Sequence, residues 1–152
     1  MASTTFSGPV TSNNGFIGAL TGNVTGNIAG SGSITHTPTA INVTATATAA
    51  QVATGYITST SVGTVTITLP TGTLLGAALG ATQGTVFDLY IDNTAGASVV
   101  TVAVATNGIL SSGAADTPGS FGDLTIAAGA TGLARFTLMF SSATAYVFTR
   151  TA

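Results

Sequence analysis

The chain has 152 residues, only 4% of them charged, and a formal net charge of −2 at pH 7. Globular domains average about 25% charged residues. A chain with two arginines and no lysine therefore lacks the basic surface that nucleic acids or anionic membranes require. The absence of cysteine excludes disulfides and thiolate metal sites, and no apolar run approaches the ~20 residues of a membrane-spanning helix.

Such a low charge density gives copies of the chain little electrostatic repulsion, so the composition favours association. The N-terminal residues Met-Ala-Ser-Thr-Thr-Phe have neither the basic nor the apolar region of a secretory signal. We therefore expect an assembling protein that carries no export signal.

Residues 1–36 are predicted to form an extended arm rich in glycine, threonine and asparagine. Glycine recurs at every fourth position from Gly18 to Gly30, with one modest apolar residue between successive glycines: Leu20, Val24 and Ile28. Because ordering the backbone costs about 1–2 kcal/mol per residue, this segment cannot build a core alone. We expect it to pack against neighbouring subunits, with Phe6 and Phe16 as its anchors. The glycine spacing also fits a dimerising membrane helix, but the intervening Asn and Thr residues argue against that alternative.

Residues 37–152 are predicted to form a β-sandwich domain. Taken in chain order, the pattern predicts a strand over 40–48, a helical turn over 49–54 that Thr48 caps and Gly55 ends, strands over 56–60 and 64–69, a short helix over 72–80, strands over 85–92 and 98–105, a loop over 111–121, a strand over 123–127 and a terminal hairpin of 132–140 with 145–150. Seven or eight short strands at this spacing are typical of an antiparallel sandwich or jelly roll. Alternation predicts these inward side chains: Val65, Ile67, Leu69, Phe87, Leu89, Ile91, Phe136, Leu138 and Phe140.

Few residues could carry chemistry. His36 has no cysteine partner and no serine in a recognisable nucleophile setting, so a structural or exposed role is expected. Gly72–Gly80 lacks the Gly-Lys-Ser/Thr ending of a phosphate-binding loop. We therefore predict no catalytic residues, no cofactor and no metal.

Asp88 and Asp92 lie four residues apart on one predicted strand, so both project from the same face with Tyr90 between them. They could form half of a Ca²⁺ site or a carboxylate pair. The favoured interpretation is a strand edge that faces solvent or another subunit. Arg135 is predicted on the face opposite Phe136, where it could pair with an aspartate.

Several segments resemble small structural proteins of tailed-phage virions. In the arm these are Phe6-Ser-Gly-Pro-Val-Thr-Ser-Asn-Asn-Gly-Phe16 and the Gly-Ala-Leu-Thr-Gly-Asn-Val-Thr-Gly26 that follows. In the body they are Gly55-Tyr-Ile, Thr66-Ile-Thr-Leu-Pro70, Phe87-Asp-Leu-Tyr-Ile-Asp-Asn93 and Phe140-Ser-Ser-Ala-Thr. The group comprises capsid decoration (cement) proteins and head-fibre proteins.

The resemblance implies a non-enzymatic homotrimer seated on the outer surface of the capsid, where it binds the major capsid protein. A head-fibre or tail-fibre component that recognises host glycans is the alternative, with Tyr56, Tyr90 and Tyr146 as its candidate contacts. A bacterial surface-layer or adhesin module is a third possibility.

Overall fold

The computed structural model describes residues 35–110 and 124–151, all within the unit Ile34–Ala152. Its elements, in chain order, are β1 (Thr39–Ala40), β2 (Ala45–Thr46), α1 (Ala49–Ala53), β3 (Tyr56–Thr58), β4 (Val65–Leu69), α2 (Gly72–Leu79), β5 (Val86–Asp92), β6 (Val100–Val104), β7 (Gly108–Leu110), β8 (Thr125–Ile126), a 3-10 turn (Gly129–Thr131), β9 (Leu133–Ser142) and β10 (Ala145–Arg150).

The first six strands wind alternately between two sheets. Strands β1, β3 and β5 lie side by side in a six-stranded sheet of order β1-β3-β5-β9-β10-β7, and β2, β4 and β6 lie side by side in a four-stranded sheet of order β2-β4-β6-β8. Each return to a sheet passes through the other sheet, so neighbouring strands run in the same direction, and all four of these pairings are parallel. Parallel neighbours need such crossovers, because a short hairpin reverses the chain.

The prediction of antiparallel pairing is therefore wrong for the first six strands, β1 to β6. Among the described residues, antiparallel pairing is confined to β5 with β9, β9 with β10, and β6 with β8, while β7 adds to β10 in parallel. Both sheets are mixed, which is not the arrangement of a jelly roll. The coarser prediction, a strand-dominated body with short helices, is confirmed.

A single apolar core lies between the two sheets. The alternation predicted for the longer strands is confirmed, since Ile67, Leu69, Leu89, Phe136 and Leu138 are fully buried. Phe136 of β9 stacks on Phe148 of β10, with 4.8 Å between the ring centroids.

Both helices begin where their sequences predict. Thr48 caps α1 and forms a capping box with Gln51, and the chain then leaves the helix through Gly55 at a φ of +76°. Thr71 caps α2, which ends at Gly80 in the left-handed conformation. A side chain at Gly76 would collide with the carbonyl oxygen of Ala143, so glycine lets α2 lie directly on the turn between β9 and β10.

Two local predictions are wrong. The single strand expected over 40–48 is interrupted after Ala40, and its second part, β2, belongs to the other sheet. Strand β7 was not predicted, because its three residues follow a turn at Asn107 and carry no alternation. The predicted loop 111–121 lies outside the described residues. Thr35 and His36 lie against the body, and the predicted domain boundary after residue 36 stays a prediction.

Candidate functional site

The charged side chains of this sparsely charged protein gather on one surface. Of the seven Asp, Arg and His residues in the sequence, four lie on the outer side of the six-stranded sheet: His36, Asp88, Asp92 and Arg135. We call this surface, together with Tyr56, Tyr90 and Leu133, the polar face. Asp116 and Asp123 lie outside the described residues, and the guanidinium of Arg150 donates to the carbonyl oxygen of Thr125.

The register of three neighbouring strands aligns the side chains at the centre of the polar face. Tyr56 of β3 lies opposite Tyr90 of β5, and Tyr90 lies opposite Arg135 of β9. Three side chains from three strands thus form one row across the sheet. The Arg135 guanidinium carbon stands 6.0 Å from the centre of the Tyr90 ring, a cation–π distance.

Asp88 is held by two neighbours on β9. One of its oxygens accepts a hydrogen bond from Arg135 Nη2 at 2.5 Å, and the other accepts from Thr137 Oγ1 at 2.7 Å. The bond from Arg135, helped by the one from Thr137, lowers the pKa of the Asp88 carboxyl. The predicted pairing of Arg135 with an aspartate is confirmed.

Asp92 ends β5 and is held from two sides. Thr94 donates to Oδ1 through its hydroxyl at 2.6 Å and its backbone N–H at 2.9 Å, and the Tyr56 hydroxyl donates to Oδ2 at 2.5 Å. The bonds from Thr94, followed by the one from Tyr56, lower the pKa of Asp92. The same bond to Asp92 raises the pKa of Tyr56, because a phenolate there would meet a carboxylate.

His36 reaches the polar face from the start of the body. Its Nδ1 lies 2.9 Å from the carbonyl oxygen of Thr54 and therefore carries the proton and donates. The ring packs over Gly55, where a Cβ would lie 2.5 Å from Nδ1. Its centre is 5.9 Å from that of Tyr90. The structural role predicted for His36 is confirmed.

The sheet carries an open depression of about 630 Å³, and the residues that line it are Thr35, His36, Tyr56, Asp88, Tyr90, Asp92 and Leu133. Asp88 and Asp92 do share one face with Tyr90, as predicted, but β5 is an inner strand between β3 and β9 rather than a sheet edge. Within the described parts of the chain, no three His, Cys, Asp or Glu side chains come close enough to hold a metal ion. The depression offers aromatic rings, an imidazole and carboxylates, and the Arg135 guanidinium lies beside it, which is a set suited to binding a ligand.

The remaining residues that were predicted to contact a partner or a glycan are not among the described residues that line this depression. Phe6, Phe16, Leu20, Val24 and Ile28 lie outside the described residues. Tyr146 is fully buried, and its hydroxyl donates to the carbonyl oxygen of Pro70 at 3.0 Å. Burial raises the pKa of Tyr146 to about 12, so this tyrosine is part of the core and offers no ligand contact.

The grouping of His36, Tyr56 and Arg135 around Tyr90 was not predicted. Tyr56 and Tyr90 stand 34 positions apart in the sequence, and only their parallel register brings them together. The pattern within each strand marks outward side chains, but it does not say which strands are neighbours.

None of the described helices is both long and apolar enough to cross a membrane. A scan of the chain against protein-family models and searches of curated proteins and solved structures give no match.

Proposed function

We propose that the chain is a non-enzymatic structural protein of a tailed-phage virion. It acts as a decoration, or cement, protein on the outer surface of the capsid, where a homotrimer binds the major capsid protein and stabilises the shell. Support for the virion role comes from the resemblance of the arm and of several body segments to that group of proteins.

The observation that carries the proposal is the closed core of the body. Among the described residues, twenty apolar side chains are buried, each at most 6% exposed, and all lie between Ile41 and Phe148. The proposal assigns no part of this core to the arm, whose apolar residues would then contact a partner. The proposal therefore assigns docking on the shell to Phe6 and Phe16, with Leu20, Val24 and Ile28 as lesser contacts.

The mechanism is added interface rather than chemistry. A stable protein–protein interface buries about 1,200–2,000 Å², and threefold symmetry would repeat each contact with the shell three times. The arm would lose its conformational freedom on docking, which lowers the affinity gained per unit of buried area. The sparse charge of the chain supports the trimer, because like copies approach one another with little repulsion.

Deletion of residues 2–32 tests the proposal. The truncated chain is expected to keep the circular dichroism and cooperative unfolding of the body, and to lose co-sedimentation with capsids that lack the protein. A Phe6→Ala, Phe16→Ala double variant is expected to weaken capsid binding while the arm keeps its length. A matched Thr4→Ala, Thr11→Ala variant controls for sequence changes in the arm that remove no anchor.

Light scattering on the intact chain in solution checks the trimer. Capsid binding by the truncated chain that equals that of the intact chain would refute the docking role of the arm. A monomeric intact chain at the concentrations found in assembly would refute the homotrimer.

A further inference from the structure

We propose that the depression in the polar face binds a neutral saccharide. The site lies on described residues and uses none of the residues 2–32 to which docking on the shell is assigned, so the proposal goes beyond the structural role on the capsid and does not depend on it. The lining side chains that would contact the ligand are His36, Tyr56, Asp88, Tyr90, Asp92 and Leu133. Arg135 lies beside Tyr90 and Asp88 at the border of the depression.

Aromatic surface is the first requirement of such a site. A pyranose ring carries patches of C–H groups that an aromatic ring can cover, and a tyrosine supplies this surface at a low entropic cost because it has only two side-chain torsions. Tyr56 and Tyr90 lie side by side on neighbouring strands, and both are half-buried. Leu133, 53% exposed, adds apolar surface at the wall of the depression.

Mixed hydrogen bonding is the second requirement. Each sugar hydroxyl can both donate and accept, so a saccharide site needs donors and acceptors close together. Asp88 and Asp92 are ionised acceptors with more lone pairs than their present bonds use. Arg135 has five N–H donors, of which the bond to Asp88 uses one. His36 donates through Nδ1 to the backbone, so its Nε2 is the ring nitrogen left to contact a ligand.

The charges of the site select against ionic ligands. Arg135 is paired with Asp88, so these two charges offset each other. Asp92 has no cationic partner among the described residues, and its carboxylate leaves these three side chains with one net negative charge. An anionic ligand would approach two carboxylates. A cationic ligand would find aromatic rings and Asp92, but it would also meet the positive guanidinium of Arg135. A neutral ligand with many hydroxyl groups can accept hydrogen bonds from the guanidinium and donate hydrogen bonds to the carboxylates.

The side chains are in place before a ligand arrives. The bond from Tyr56 to Asp92 and the bond from Arg135 to Asp88 fix four of them on three adjacent strands. Fixing side chains in advance reduces the entropy lost on binding. The volume of about 630 Å³ falls within the 300–1,000 Å³ typical of small-molecule sites.

A printed array of neutral and acidic oligosaccharides, probed with the intact chain, tests the proposal. The glycans that bind are then titrated in solution and followed by NMR. We expect neutral glycans among them, and we expect their addition to shift the resonances of Tyr56 and Tyr90. Replacing an aromatic anchor by alanine commonly costs about 2 kcal/mol, so Tyr90→Ala should bind about thirtyfold more weakly, while Tyr90→Phe should keep most of the affinity.

Val62→Ser is the matched control, because this 86% exposed side chain does not line the depression. Circular dichroism checks that Tyr90→Ala is folded. If it is not, Leu133→Ser replaces it, since the exposed Leu133 contributes little to the core.

Three results would overturn the proposal. One is an array without any bound neutral glycan, and another is glycan binding that survives both Tyr90→Ala and Leu133→Ser. The third is a shift of the Tyr56 and Tyr90 resonances on addition of choline chloride or Nα-acetyl-lysine amide, with no shift on addition of any saccharide. That result would make the depression a site for cationic groups. None of these results bears on capsid binding by the arm, so the two proposals fail independently.

Discussion

The side chain of Asn93 holds together three segments at the end of the polar face. It is fully buried in the turn after Asp92, and its Nδ2 donates to the carbonyl oxygens of Ser98 at 2.8 Å, Ala127 at 3.0 Å and Ile126 at 3.3 Å. Its Oδ1 is buried without a hydrogen-bond partner among the described residues. Substituting Asn93 therefore tests how far one amide fixes the connections of the four-stranded sheet.

Two substitutions distinguish the cost of losing hydrogen bonds from the cost of burying a charge: Asn93→Ala and Asn93→Asp. Nδ2 carries two protons, so its three contacts amount to about two hydrogen bonds at about 1 kcal/mol each. Removal of the unpaired Oδ1 returns part of this, so Asn93→Ala should lose about 1–2 kcal/mol. Asn93→Asp has almost the same shape, but at pH 7 it points a carboxylate at three carbonyl oxygens. An uncompensated buried charge costs about 3–5 kcal/mol, so this variant should lose about 4 kcal/mol.

The penalty of Asn93→Asp should depend on pH. Burial beside carbonyl oxygens would raise the pKa of the new carboxyl in the folded state above the ~3.9 of the unfolded chain. Below pH ~3.9 both states are protonated and the charge penalty is absent. The penalty grows as the pH rises from there to the folded-state pKa, and it is constant at higher pH.

Urea unfolding at fixed protein concentration, followed by circular dichroism at pH 3.5 and pH 7, measures these differences from the wild type. The assignment of Nδ2 to the three carbonyls would be refuted if Asn93→Asp were at least as stable as Asn93→Ala at pH 7. It would also be refuted if the stability difference between Asn93→Asp and the wild type did not change with pH.

Two further predictions concern the polar face and helix α2. Tyr56→Phe removes one donor to Asp92, so the lowered pKa of this carboxyl should rise toward 3.8. The stability that Asp92 contributes is present above its unfolded-state pKa and is lost as the pH falls through its folded-state pKa, so the variant should lose it at a higher pH. NMR titration of the carboxyl carbons measures the pKa of Asp92 in the wild type and in the variant, with the pKa of Asp88 as the internal control. An unchanged pKa of Asp92 would contradict the hydrogen bond from Tyr56. Gly76→Ala should lower the free energy of unfolding by about 1–3 kcal/mol, because its Cβ would strike the Ala143 carbonyl, although alanine alone favours a helix by about 1 kcal/mol. Gly63→Ala, which has open space around it, should stay within about 0.5 kcal/mol of the wild type, and equal stability of the two variants would rule out the close approach.

The sequence by itself determined the local elements of the body. Alternation in Val65–Leu69 and in Val86–Asp92 predicted two strands and their buried sides, and Thr48 and Gly55 predicted both ends of α1. These signals are local, because the side-chain period of a strand and the capping of a helix depend on residues only a few positions apart.

Tertiary structure alone decided which strands are neighbours, and with them the candidate site. The sequence favoured antiparallel pairing because successive short strands usually form hairpins, but through β1 to β6 the chain crosses to the other sheet after each strand and returns in parallel. The parallel pairing of β3 with β5 places Tyr56 beside Tyr90, and the antiparallel pairing of β5 with β9 places Arg135 beside Asp88, over separations of 34 and 47 residues. No local pattern encodes such a pairing, because it depends on how the apolar sides of all ten strands close around one core.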